Sequence, residues 1–139
     1  LEDFSSYLAF NIGGIISYEN LSRDIKLSFQ TIKKYLNAME KSYLIAKISP
    51  FYKNKIKEII KQPKIYFVDT GLRNAITKRF DIEPEGKLFE NYVLTELLKL
   101  GFAPKYWRTK SNAEVDFIIE KDSEIIPKFH ASVQSSQVV

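Results

Sequence analysis

Residues Leu21–Ile48 read LSRDIKLSFQTIKKYLNAMEKSYLIAKI. Their spacing predicts a short helix, a tight turn, a longer helix and then a strand. In the longer helix Ile32, Tyr35, Leu36 and Met39 stand at i, i+3, i+4 and i+7, which puts them on one face. Gln30, Lys33, Lys34 and Asn37 repeat that spacing on another face, with Thr31 beside them near the helix start. Such a helix can pack on a small core through one side. Through the other it can offer amides and ammonium groups to phosphates and base edges. Lysine and asparagine also solvate helix exteriors with no partner at all, so the flanking segments carry weight.

Working outward toward the N-terminus, Leu1 to Asn11 places Phe4, Tyr7, Leu8 and Ala9 at helical spacing, with Asp3 as the expected N-cap. Gly13-Gly14 interrupts the pattern. Ser17 to Ile25, with Tyr18, Leu21 and Ile25 on one side, is a short second helix, and Ser28 is placed to cap the third. In the other direction Tyr43–Ile48 and Lys64–Val68 (KIYFV) read as two strands joined by a lysine-rich segment. Helix, short helix, turn, longer helix and hairpin make a winged helix-turn-helix. The wing would carry Lys53, Lys55 and Lys57, with Asn54 and Lys61, along a phosphate backbone. Each neutralised phosphate adds about one unit to the salt slope of binding.

Past the hairpin, Asp69 or Thr70 can cap a helix over Leu72–Thr77, and the acidic run Asp81–Gly86 is the best linker. Lys87–Leu100 is the strongest helix, with Leu88, Phe89, Tyr92, Val93, Leu97 and Leu100 as a wide apolar stripe and Gly101 as its stop. Strands follow at Lys105–Arg108, Glu114–Glu120 (EVDFIIE) and from Glu124 to Pro127. The expected architecture is α+β: a winged-helix domain over 1–80, a long helix with a three-stranded sheet over 86–130, and a tail over 131–139. Three carboxylates stand out: Glu90 and Glu96 on the long helix, and Asp116 inside an otherwise apolar strand. A buried aspartate is costly unless it is paired or holds a cation. Alternation puts Glu114 and Asp116 on one side of the strand. Exposure to solvent or an ion pair with Arg108 would satisfy Asp116.

Composition narrows the classes. The chain has 139 residues, 45% hydrophobic and 14% aromatic, enough for a real core. Its net charge of +4 is uneven. From Arg23 to Lys64 there are 11 Lys/Arg against 3 Asp/Glu, a local +8, while from Thr70 onward the count is 10 against 10. A basic first half favours a polyanion partner. With no cysteine, disulfides and thiolate metal sites are excluded, and the one histidine, His130, makes no histidine cluster. No run approaches the roughly 20 apolar residues of a membrane helix. Glu2 and Asp3 stand where a leader's basic segment would be, so a cytoplasmic protein with no membrane partner is expected. The chain starts at Leu1 and reads as a piece of a longer protein. It contains no G-x-x-x-x-G-K-[ST], so no ATP site is expected within it.

The segments KIYFVDTGLRNAI, GKLFENYVLTELLKLG, YWRTKSNAEVDFIIE and SEIIP resemble the C-terminal region, of DUF4143 type, of archaeal and bacterial AAA-family ATPases. There an ATPase domain is followed by a winged helix and a domain related to the PD-(D/E)xK nucleases. The resemblance implies a partial restriction-endonuclease-like α/β unit after the winged helix. It also implies that Glu90 and Asp116 correspond to the nuclease metal site, with ATP and Mg²⁺ belonging to the parent protein. In active members the acidic residues hold Mg²⁺ while a lysine stabilises developing charge. The matching Glu-x-Lys would fall on Phe129 and Ala131, which can do neither job. Glu90 and Asp116 are therefore expected to be degenerate positions, with no catalytic residue, metal or cofactor in this chain.

The leading expectation is a module that binds double-stranded DNA through Gln30, Thr31, Lys33, Lys34, Asn37, Lys53, Lys55 and Lys57, joined to an inactive nuclease-like unit. A protein-interaction or self-association module, including a homodimer formed through an open sheet edge, is the alternative. A Mg²⁺-dependent nuclease using Glu90, Glu96 and Asp116 is a third.

Overall fold

Serine hydroxyls start the two helices of the central stretch. Ser17 accepts from the Asn20 amide at 3.3 Å and opens α2, Tyr18–Ile25. Ser28 accepts from the Thr31 amide at 3.2 Å and opens α3, Phe29–Lys41. Between them Lys26 takes a left-handed conformation, φ 54°, and the Ser22 hydroxyl donates to the Leu27 carbonyl at 2.6 Å. These contacts turn the chain sharply from one helix into the next.

The computed structural model describes residues 2–52, 62–80, 86–109, 113–121 and 124–128. Besides α2 and α3 these comprise α1 (Glu2–Phe10), β1 (Ile45–Ile48), β2 (Lys64–Phe67), α4 (Thr70–Thr77), α5 (Gly86–Lys99), β3 (Lys105–Arg108), β4 (Glu114–Lys121) and β5 (Glu124–Lys128). The fold is α+β, as expected: five helices and two small antiparallel sheets among the described residues. Asp69, not Thr70, caps α4, accepting from the Leu72 amide at 2.8 Å. Asp3 does not cap α1 but lies within its first turn.

The apolar face of α3 is where the spacing placed it. Ile32, Leu36 and Met39 are buried and Tyr35 is half-buried, its ring edge-on to Phe4 at 5.6 Å. With Leu8, Leu21, Ile45, Ile65 and Phe67 they form the first core cluster. Full burial of a side chain such as Leu36 stabilises by about 1.5–3 kcal/mol.

β1 and β2 pair antiparallel, from Ile45 opposite Phe67 to Ile48 opposite Lys64. On the far side of β2, Ile15 bridges to Lys64. There the Gly13 amide donates to the Ile65 carbonyl at 2.9 Å and the Ile16 amide to the Pro63 carbonyl at 3.0 Å. The segment after α1 thus lines the hairpin as a third, minimal strand. The second sheet has the order β3-β4-β5, all antiparallel, with a register slip between Lys105 and Trp107. Pro127 falls in its edge strand β5, where a missing N–H is tolerated. The two sheets are stitched where Pro50 runs parallel to Tyr106. The Phe51 amide donates to the Tyr106 carbonyl at 2.6 Å, and the Tyr106 amide to the Ser49 carbonyl at 3.1 Å. A second core cluster joins Ile48 and Tyr66 of the hairpin to Leu94, Leu97, Tyr106, Phe117 and Ile119.

The expected apolar stripe of α5 is only partly buried. Leu97 is inside, but Phe89, Tyr92 and Leu100 are exposed, at 38%, 52% and 72%. The helix instead turns Glu90, Asn91, Leu94 and Thr95 inward. Polar residues win this face because they arrive with partners. Asn91 accepts from the Phe67 amide at 2.9 Å and donates to the Phe67 carbonyl at 2.7 Å, doing for β2 what another strand would do. Gly101, at φ 80°, then ends the helix.

Candidate functional site

The outer face of α3 is the first candidate. Gln30, Lys33, Lys34 and Asn37 are all exposed, on the side opposite Ile32, Leu36 and Met39. The Lys33 ammonium lies 4.7 Å above the Phe29 ring, which steadies the side chain without neutralising it. Thr31 is spent on structure: its hydroxyl is 2.8 Å from that of Ser28, inside the helix cap. Asn37 is tied to the hairpin, because Lys47 Nζ donates to its Oδ1 at 3.0 Å while also meeting Glu40 Oε2 at 2.6 Å. The remaining expected contacts, Lys53, Lys55 and Lys57 with Asn54 and Lys61, lie outside the described residues.

The second candidate is an ion cluster beneath the hairpin. Alternation along β2 sends Lys64 and Tyr66 to the same side, and both meet Glu90 on α5. The Tyr66 hydroxyl donates to Glu90 Oε1, and Lys64 Nζ is 3.3 Å from that oxygen. Lys64 Nζ also contacts Asp116 Oδ1 at 3.3 Å and donates to Glu114. It is 1% exposed, Glu90 is 2% and Asp116 5%. Lys87 reaches Glu90 Oε2 at 2.8 Å and the Gly13 carbonyl at 3.2 Å. Gly13 closes the approach at φ 66°. A Cβ there would stand 2.9 Å from Lys87 Cδ and 3.0 Å from Glu90 Oε1, so the site demands glycine on both counts.

Burial by itself would pull the Lys64 pKa down, but Glu90, then Glu114 and Asp116, outweigh it and hold the ammonium above its usual range. Burial, followed by the Glu90 carboxylate, pushes the Tyr66 phenol far above its ordinary value. Burial raises Tyr106, whose ring lies 5.4 Å from Lys64 Nζ, to about 12. The cluster is a closed arrangement of fixed charges, with an ammonium at the point the three carboxylates surround.

The structure brings Glu90 and Asp116 together around Lys64. Asp116 is buried rather than in solvent and meets Lys64, while Arg108 Nε lies 3.7 Å from Glu114, on the same strand as Asp116. Glu96 is elsewhere, in an exposed pair with Lys99 at 2.7 Å. Among the described residues no three His, Asp or Glu side chains are arranged to hold a metal ion. Phe129 and Ala131 lie outside the described residues. Sequence reasoning missed Lys64, Tyr66, Lys87 and Glu114 as members of the cluster. The signal was present in KIYFV, where a lysine and a tyrosine share one side of a strand whose other residues are apolar.

A groove of about 560 Å³ runs between β1 and the end of α5, lined by Tyr43, Ile45, Ile48, Leu98, Phe102 and Pro104 among others. No helix among the described residues is long and apolar enough to cross a membrane.

The fold is an α+β arrangement in which two helices joined by a sharp turn and a hairpin meet a helix and a three-stranded sheet around a buried ion cluster. The chain belongs to the family described as Domain of unknown function (DUF8612), whose match covers residues 1–83. Residues 85–135 match a second family, Domain of unknown function (DUF4143). Two mycobacterial proteins, Uncharacterized protein Rv2008c of Mycobacterium tuberculosis and Uncharacterized protein Mb2031c of Mycobacterium bovis, are each 34% identical over 122 residues, covering 81% of this chain and 27% of the relative. An uncharacterized protein of Haemophilus influenzae is 32% identical over 126 residues, covering 86% of this chain and 31% of the relative. The chain thus spans about a third or less of the length of these relatives. No solved structure matches it.

Proposed function

We propose that this chain is a winged-helix module that binds double-stranded DNA, joined to a nuclease-like unit that does not cleave, within a longer cytoplasmic ATPase of the AAA type. The observation that carries the DNA reading is the α3 face: Gln30, Lys33, Lys34 and Asn37 exposed together, with the helix backed by its own core. Lys33 and Lys34 have no carboxylate partner among the described residues, so their charge is available to phosphates. The backbone bridge from Ile15 to the hairpin adds the short strand that winged helices place beside the wing. The inactive reading of the second unit is supported by Lys64, whose buried ammonium already stands against Glu90 and Asp116, the carboxylates a catalytic cation would need. The AAA-type parent rests on the resemblance and on the greater length of the relatives.

The test is a titration of labelled duplex DNA across salt concentrations, with and without Mg²⁺. Log affinity should fall with log salt by several units, and the DNA should stay intact. Absence of binding at low salt sinks the DNA reading; Mg²⁺-dependent cleavage lost on Asp116→Ala sinks the inactive one.

A second reading, docking of a protein, is favoured by the groove beside β1, where no strand pairs along the outer edge of Ile45–Ile48 among the described residues. Addition of a second copy at the edge strand β5 is the self-association form of it.

A further inference from the structure

A lysine ammonium carries donors only. The Asn37 amide must therefore turn its oxygen toward Lys47 Nζ, 3.0 Å away. That removes the usual ambiguity of amide orientation. Lys47 is itself held in place by Glu40 at 2.6 Å, with its side chain 22% exposed. What Asn37 offers outward from α3 is its amino group, two donors beside a fixed positive charge. An asparagine that reads adenine uses both ends of its amide: oxygen accepts from the N6 amino group and nitrogen donates to N7. Here the oxygen is engaged by an ammonium, and an N6 amino group brought to it would face the protons of Lys47. Guanine presents two acceptors, N7 and O6, at the same edge.

We propose that Lys47 fixes Asn37 as a donor-only reader, so that α3 selects guanine over adenine at the base Asn37 reaches in the major groove. This rests on the reading of the chain as a duplex-DNA module and names the base its helix takes. Gln30 lies two turns earlier on the same face and carries no such clamp among the described residues, so it is an internal contrast.

The experiment is selection from randomised duplexes by the chain as it stands and by three variants that are first checked for native melting. Asn37→Ala identifies the base position that depends on Asn37. At that position the unmodified chain should prefer guanine over adenine roughly tenfold. Lys47→Met, which frees the amide oxygen, should shift the preference to adenine. Asn37→Asp, which leaves only acceptors and keeps a partner for Lys47, should abolish the guanine preference even if Lys47→Met does not fold. Adenine preferred by the unmodified chain, a guanine preference that survives Asn37→Asp or Lys47→Met, or salt-dependent binding with no base that depends on Asn37 would each overturn the inference and leave DNA binding standing. No binding to the duplex pool at low salt would overturn both.

Discussion

Lys33 and Lys64 are the same residue in opposite circumstances. Lys33 sits on the open face of α3, over an aromatic ring, in water. Lys64 is 1% exposed and surrounded by Glu90, Glu114 and Asp116. An exposed ammonium contributes little to stability but remains available to an external anion. A buried one is fully committed inside, and its removal strands the charges it served. The comparison teaches that basic composition is a poor guide to function until burial divides the lysines. Of the excess positive charge between Arg23 and Lys64, the lysine that closes the window belongs to the fold.

The largest expected effect follows from that commitment. Lys64→Met leaves three carboxylates facing one another without the buried ammonium between them, with the half-exposed Lys87 beside Glu90 and Arg108 3.7 Å from Glu114. It should cost about 3–5 kcal/mol, the usual penalty for removing one partner of a buried ion pair, measured by urea denaturation. A loss below 1 kcal/mol would mean that water reaches the cluster and that the contrast with α3 is one of degree. Leu36→Ala tests the other side of α3. Leu36 is 1% exposed, and the change should cost about 2–5 kcal/mol. A negligible shift in Tm would mean that α3 is not anchored by its apolar face, and its polar face would then lack a rigid support.

The half of the molecule organised by helical spacing was legible from sequence. Ser17, Ser28 and Asp69 start helices as short polar side chains do, and Ile32, Leu36 and Met39 pack inward because their period matches the helix. The ion cluster was legible only in pieces. Asp116 stood out because it sits inside an otherwise apolar strand, and Glu90 through the resemblance to the nuclease-like family. Lys64 did not, because a lysine at the start of a strand after a basic segment looks like one more surface cation. Nothing local says that a side chain 26 residues before Glu90 and 52 before Asp116 will meet both. Asn91 was missed for a related reason. Its value lies in matching the backbone donor and acceptor of Phe67, a partner that only the fold supplies. The stripe drawn on α5 failed because it counted apolar residues and left out polar residues that arrive with partners.

Alkali gives a smaller, graded effect on the same cluster. The pKa values of Lys64 and Tyr66 are both raised in the fold. The folded chain therefore holds these protons more tightly than the unfolded one. The associated stability is whole below the ordinary values of 10.5 and 10.0 and is lost as pH rises through and beyond them. Tm measured from pH 8 to 11 should fall, and less steeply in Tyr66→Phe, which deletes the phenol's share. Equal slopes would mean that Tyr66 ionises as freely in the fold as outside it, against the burial seen here.

The smallest effect on the fold is expected where the effect on binding should be clearest. Lys33→Ala with Lys34→Ala removes two exposed charges and no buried atom of the core, so stability should change by no more than about 0.5 kcal/mol per site. If both lysines meet phosphates, the slope of log affinity against log salt should become shallower by about 2. The pairing of the two readouts is what makes the result decisive. Loss of affinity with a lowered Tm would show only that α3 had been damaged. Unchanged affinity at low salt with an intact fold would remove α3 from the interface and move attention to the groove beside β1. A shallower slope on an unchanged fold would separate the two kinds of lysine by experiment as burial separates them in the structure.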